Sequence, residues 1–313
     1  MPKTNFPFAT EPELVAISIA YRNKGLIADS VLPRTPVGKE EYRYNYYPKG
    51  TFITVPDTKA GRKSKLNEAN FESDERTGAT KDFGLQSLVP QKDLDNAPEG
   101  LNPLSTTTEG LRDLIMLDRE VRVANKVFDP AIYDNANKVQ LAGNDQWSDY
   151  VNSDPIEDIE EALNIPFMRP NVMTIGQAAW STLRRHPKIL KAVHKNDGDS
   201  GIASKEAVAE LFELEEINVG QGWVNIAKPG QPVNRARVWG KHCLLHYKNT
   251  TASINFGMTF GFTPQHGDPV AGTRSAEPGE AGLSGGTWVV NGEKVNEEIS
   301  APDLAYFFED CVA

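Results

Sequence analysis

Gly282-Leu283-Ser284-Gly285-Gly286 sets a serine between glycines in the spacing of a nucleophile elbow, the turn that exposes a hydroxyl for acyl transfer. That chemistry needs a strand before the serine, a helix after it and a histidine as general base, which in that fold lies later in the chain. Here a stretch rich in proline and glycine comes first, Thr287-Trp288-Val289-Val290 follows with strand composition, and no histidine lies beyond His266. A glycine turn fits these residues better than a serine hydrolase using Ser284. His242 and His246, four apart, would share a face of a helix and could there ligate a metal. The segment from Trp239 to Tyr247 reads as a strand, however, and no carboxylate lies between the two, so a buried or interface role is expected. Asp197-Gly198-Asp199-Ser200-Gly201 begins like a calcium loop, but the twelfth position is Val208 where a bidentate glutamate is required. A polar turn is expected there. Lys59, Arg62, Lys63 and Lys65 cluster around Gly61 without the aromatic side chains that stack exposed bases, which suits a solvated or partner-facing turn. No catalytic, cofactor or metal site emerges, so the chain is not expected to be an enzyme.

The composition narrows the classes further. Thirty-three basic against 43 acidic residues give a net charge of −10, which gains little from phosphate backbones and disfavours general nucleic-acid binding. The same charge suits the lining of a container that must not stick to packed nucleic acid. Hydrophobic residues make up 39% of 313, modest for a compact enzyme and suited to extended arms covered only after assembly. Cys243 and Cys311 stand far apart and in no C-x-x-C pattern, so neither a disulfide framework nor a thiolate zinc site is expected, and a reducing cytoplasm is the natural compartment. No apolar run approaches the length of a membrane span. Leu14 to Ala20 follows Glu11 and Glu13, not a basic segment, and is not a secretory signal.

The elements that would position any site follow from periodicity and caps. Thr10 and Glu13 form a capping box ahead of a short helix that fades at Asn23-Lys24-Gly25, and residues 1–40 read as an arm. Tyr42, Tyr44 and Tyr46 alternate on one strand face, and Thr51 to Val55 resumes strand composition. Residues 41–88 are expected to form a long two-stranded loop with the basic turn at its tip and an acidic return, Glu68, Glu72, Asp74 and Glu75. A hairpin alone is marginal in water, so this one is expected to lie on a neighbouring subunit. Asn102 caps and Pro103 opens a helix from Leu104 to Phe128, with Leu111, Leu114, Leu117, Val121, Ala124 and Phe128 as its expected core stripe. Asp154 caps a helix, Val172 to Ile175 reads as a buried strand, Pro187 divides a helix from Ala178 to Val193, and Ser204 caps another. Ile217 to Val219, Val238 to Tyr247, Phe256 to Phe262 and Thr287 to Val290 read as strands, and Gly272 to Gly286 as a loop. The class is α+β.

The order arm, long loop, spine helix, α/β insertion and closing strands resembles the major capsid proteins of tailed bacteriophages with the Hong Kong ninety-seven-type fold. The resemblance runs from about Phe8 to the C-terminus and is carried by Ala28-Asp29-Ser30-Val31-Leu32-Pro33 with Val37-Gly38-Lys39, and by Leu117-Asp118-Arg119-Glu120-Val121-Arg122-Val123-Ala124. Arg184-Arg185-His186-Pro187-Lys188-Ile189, Val238-Trp239-Gly240-Lys241 and Asp303-Leu304-Ala305-Tyr306-Phe307-Phe308 extend it. It implies an N-terminal arm (1–40), an extended loop (41–88), a peripheral domain with the spine helix (89–153), an axial domain (154–253) and closing strands returning to the peripheral domain (254–313). It also implies pentamers and hexamers closing into an icosahedral shell around double-stranded DNA, without cofactor or membrane, assembled in the bacterial host cytoplasm. A portal and a scaffolding partner, and in some members a decoration protein or a processing protease, belong to the same expectation. The chain shows no long helical region before its arm, so scaffolding is expected to be separate or removed. Encapsulin nanocompartments share the fold and are the alternative within it.

Overall fold

A computed structural model describes residues 9–20, 25–47, 58–59, 74–194, 201–228, 230–252 and 257–313. Two sheets and one long helix organise them. In the first sheet Gly286–Val295 is central: Lys81–Pro90 pairs with it antiparallel along all ten residues, and Val270–Ala276 pairs on its other side. Gly261–His266 joins at Gln265 and takes Arg34–Val37 in parallel and Glu298–Ile299 antiparallel. Ala9–Thr10, leading into the arm helix Pro12–Ala20, adds a short strand on Val270–Ala276.

The second sheet has five strands in the order Lys138–Gln140, Ala305–Glu309, Cys243–His246, Val172–Gly176, Glu216–Gly220. Both of its faces are covered. Cys243, Leu245 and Phe308 enter a core on one side with Trp147 from a turn and with Ile159, Leu183 and Phe212 from the helices and their ends. Leu244 and Phe307 enter a second core with Val123, Val127 and Trp239 on the other. Strands buried on both faces carry continuous apolar runs, which is why Val172–Gly176 shows no alternation.

The helix Pro103–Val127 ties the layers together over roughly 37 Å, at about 1.5 Å per residue. Asn102 Oδ1 accepts from the amides of Leu104 (3.0 Å) and Ser105 (3.4 Å), satisfying donors that the first turn leaves orphaned. Leu111 packs with Val89 and Val289 of the first sheet, and Val123, Ala124 and Val127 pack against the second.

The helix is rotated relative to the expected stripe. Its buried residues are Thr108, Leu111, Arg112, Ile115, Arg119, Glu120, Val123, Ala124 and Val127, a continuous i, i+3, i+4 series. Leu114 is 55% exposed, and Leu117, Val121 and Phe128 are half-buried, Phe128 against the second core. Hydrophobicity alone rejects Arg112, Arg119 and Glu120 from a core face. They belong to it because each finds charged or hydrogen-bonding partners inside.

Other differences are local. The expected loop at Gly272 to Gly286 contains most of the strand Val270–Ala276, and the strand expected at Phe256 to Phe262 is Gly261–His266, with 253–256 outside the described residues. Val238 to His242 is a turn before the strand Cys243–His246. Ala305–Glu309 joins the five-stranded sheet, as does Lys138–Gln140, so that sheet draws on both sides of 154–253. Pro187 does split the expected helix, into Gln177–Leu183 and Pro187–His194.

Candidate assembly site

The joint between arm, spine helix and sheets is a buried ionic cluster. Arg119 donates to Asp29, to the Leu32 carbonyl (3.1 Å) and to Thr263 Oγ1 (3.0 Å). Arg34 bridges Asp29 (2.7 Å) and Glu293 (2.8 Å), and Arg112 reaches the same Glu293 oxygen at 2.7 Å. Burial by itself would raise the Asp29 carboxyl, but Arg119 and Arg34 outweigh it and hold it at about 2. Glu293 is likewise opposed by burial and held below its ordinary value by Arg34 and Arg112.

Glu120, one residue along the helix, makes a second clamp. Its two oxygens accept from the amides of Ile27 (2.9 and 3.0 Å) and Ala28 (2.7 Å) and from the Trp239 indole. Burial raises its carboxyl, against the pull of those donors. Together the two clamps fix residues 27–34 between the spine helix and both sheets.

The base of the long loop is a two-stranded ribbon, Glu41–Tyr46 with Asp74–Ala79. Tyr42 and Tyr44 are buried against Val37 and Phe262, and their hydroxyls donate to Glu298 at 3.0 and 3.5 Å. Gly78 faces Tyr42 in register, and a Cβ there would lie 2.6 Å from the ring. Of the expected tip, Lys59 is exposed, whereas Arg62, Lys63 and Lys65, with the expected strand Thr51 to Val55, lie outside the described residues.

The motifs weighed for catalysis come to rest elsewhere. Ser284 is exposed in the turn between Val270–Ala276 and Gly286–Val295, with positive-φ glycines at 282 and 285 and a strand directly after it. His246 is fully buried beside Phe260 (5.3 Å), and burial holds its imidazole at about 3, neutral at ordinary pH. His242 accepts from the Asp310 amide at 3.1 Å. Cys243 and Cys311 are buried free thiols, raised by burial. Among the described residues no group of His, Cys, Asp and Glu has the arrangement of a metal site, and no helix is long and apolar enough to cross a membrane. Most of 195–201 lies outside them.

Several large apolar side chains remain on the surface, Leu101, Leu114, Val151, Phe167, Ile226 and Val233 among them. Leu114 lies on the spine helix, and the others lie in turns and loops, Val151 and Phe167 on either side of one helix and Ile226 and Val233 within one hairpin. Sequence reasoning missed these positions, because an apolar residue in a polar stretch looks the same whether it turns inward or outward.

Two sheets bridged by a spine helix, with a two-stranded ribbon tethered through Tyr42 and Tyr44, make up the Hong Kong ninety-seven-type fold. Solved structures share it. A phage-related protein from Bordetella bronchiseptica superposes with a TM-score of 0.77 at 24% identity, covering 98% of this chain and 99% of that one. The capsid of cyanophage P-SCSP1u (TM-score 0.53, 12% identity, 99% and 90% covered) and an encapsulin from Synechococcus elongatus (0.52, 12%, 97% and 98%) share it more distantly. Sequence takes the assignment further. The chain is 48% identical over 310 residues to the major capsid protein of Pseudomonas phage JBD67, covering 99% of both. It is 28% identical to that of Burkholderia phage BcepMu, covering 84% and 86%. The family model described as phage major capsid protein E matches residues 132–225. The chain belongs to the phage major capsid proteins, structural components of the virion that assemble with copies of themselves.

Proposed function

We propose that this subunit forms pentamers and hexamers that close into an icosahedral shell around double-stranded phage DNA, held without sequence specificity. The observation that carries the proposal is the loop base: Tyr42, Tyr44 and Glu298 fix a ribbon that has almost no core of its own and so needs a neighbour to lie on. The basic cluster Lys59, Arg62, Lys63 and Lys65 supplies the intersubunit contact, guiding register by charge more than adding affinity. In this reading 1–40 is the arm, 89–153 the peripheral domain and 154–253 the axial domain around the ring axis. Residues 254–313 supply the closing strands. A portal, a scaffolding function and, in some relatives, a decoration protein are the further partners, with assembly in the host cytoplasm and no catalytic role. Changing Lys59, Arg62, Lys63 and Lys65 together to Glu tests the loop. Circular dichroism should match wild type while light scattering loses the large particles, and ordinary capsids from this variant would refute the contact. An encapsulin-type role is separated by the contents of the purified particle: packaged DNA supports the proposal, a protein cargo the alternative.

A further inference from the structure

Two patches of opposite charge flank the five-stranded sheet. Beyond the edge strand Glu216–Gly220 the chain forms a hairpin, Trp223–Asn225 paired with Arg235–Arg237. Between Trp223 and Arg237 it holds Lys228, Arg235 and Arg237 and no acid. Its apolar side chains point outward as well: Ile226 is 60% and Val233 71% exposed. Arg237 stacks over the Trp223 ring at 3.8 Å, which stiffens the hairpin at its base.

Across the sheet, packed on the face that Phe308 enters, lies the helix Pro155–Asn164. Asp158 accepts from the Trp147 indole (3.0 Å), and Trp147 packs on Phe308 in the strand next to the opposite edge. The Tyr306 hydroxyl of that strand is raised by burial and by the nearby Asp158 and Glu161. Asp154 is paired with Lys188 (2.8 Å), but Glu157, Glu160 and Glu161 form no ion pair with a described residue. Glu157 and Glu161 stand four apart, a like-charge spacing that destabilises a helix. Val151 is 84% exposed just before this helix, and Phe167 is exposed just after it.

One subunit cannot bring these patches together. Three strand spacings of about 4.8 Å set the strand of Tyr306 and Phe308 roughly 14 Å from Glu216–Gly220, beyond the screening length of about 8 Å at physiological salt. A head-to-tail ring can, because each member then presents one patch and receives the other. We propose that the basic hairpin Trp223–Arg237 of one subunit docks on the acidic helix Pro155–Asn164 of its neighbour in the ring. The contact rests on the shell reading above and assigns it a particular pair of surfaces. Lys228 and Arg235 relieve the repulsion between the glutamates, while Ile226 and Val233 cover the apolar residues that flank the helix.

Charge exchange tests this. The helix variant Glu157→Lys/Glu160→Lys/Glu161→Lys and the hairpin variant Lys228→Glu/Arg235→Glu should each cut the particle fraction in size-exclusion light scattering at least about tenfold. Both sets in one chain should return it to within about twofold of wild type. A second chain, Glu157→Cys/Ile226→Cys, should give covalent oligomers when assembled particles are oxidised in air, since the native thiols are buried. Normal assembly of either charge variant, or absence of covalent oligomers from assembled particles, overturns the contact. If wild type itself forms no particles, the shell reading fails instead.

Discussion

Glu293→Leu is the sharpest test of the joint that makes this subunit rigid. The Glu293 carboxylate is fully buried and is shared by Arg34 and Arg112, at 2.8 and 2.7 Å. Without it, Arg34 keeps Asp29 and Gln265, but Arg112 is left as an uncompensated cation with a side chain only 6% exposed. Breaking a buried pair from one side typically costs about 3–5 kcal/mol, because the remaining charge stays desolvated. Arg112→Leu alone should cost less, about 1.5–3 kcal/mol, since Glu293 keeps Arg34 and loses one charged hydrogen bond. The double variant removes both charges from the same contact and should fall short of the sum by about 2 kcal/mol. Urea unfolding of the unassembled subunit, followed by tryptophan fluorescence, measures all three against wild type. A Glu293→Leu protein within about 1 kcal/mol of wild type, or strict additivity in the double variant, would refute the reasoning.

Gly176→Ala should destabilise by about 1–3 kcal/mol or more, because its Cβ would lie 2.3 Å from the Gly240 carbonyl oxygen; calorimetry of the unassembled subunit reads the loss. Acid should weaken the fold between pH about 4 and about 2. Asp29 and Glu293 are held below their unfolded values, so their contribution is complete above about pH 4.3 and is lost as pH falls through the folded pKa, about 2 for Asp29. A pH titration of urea midpoints tests this, and a flat profile through that window contradicts it. Leu114→Asp should leave subunit stability within about 0.5 kcal/mol, since the side chain is exposed; a large loss in the same urea assay would show that the helix face is misassigned.

What could be read before the structure was what local chemistry dictates. Asn102-Pro103, Asp154-Pro155 and Ser204 start helices because their side chains meet the first-turn amides whatever the tertiary context. The strand Val270–Ala276 could not be read that way. It is rich in small residues and half-exposed, and its order comes from seven register pairs with Gly286–Val295. Lys81–Pro90 was hidden for the same reason, its polar face lying on the outside. On the spine helix the apolar residues Leu114, Leu117 and Val121 drew the eye to the wrong face, while the true core face carries Arg112, Arg119 and Glu120. Buried charge shows itself only when its partners are known, and here they lie about 90 to 180 residues away. The docking surfaces were equally illegible. An acidic helix and a basic hairpin about 60 residues apart acquire meaning only once the fold sets them on opposite sides of one sheet.

The central claim is that copies of this chain build a closed shell. Cryo-electron microscopy of the particle fraction from cells expressing it tests that most directly. The account predicts closed particles with five- and six-fold capsomers, each subunit's loop ribbon lying on its neighbour. A chain that is soluble and folded, yet remains monomeric or forms only open, irregular aggregates with and without a scaffolding partner, would contradict it.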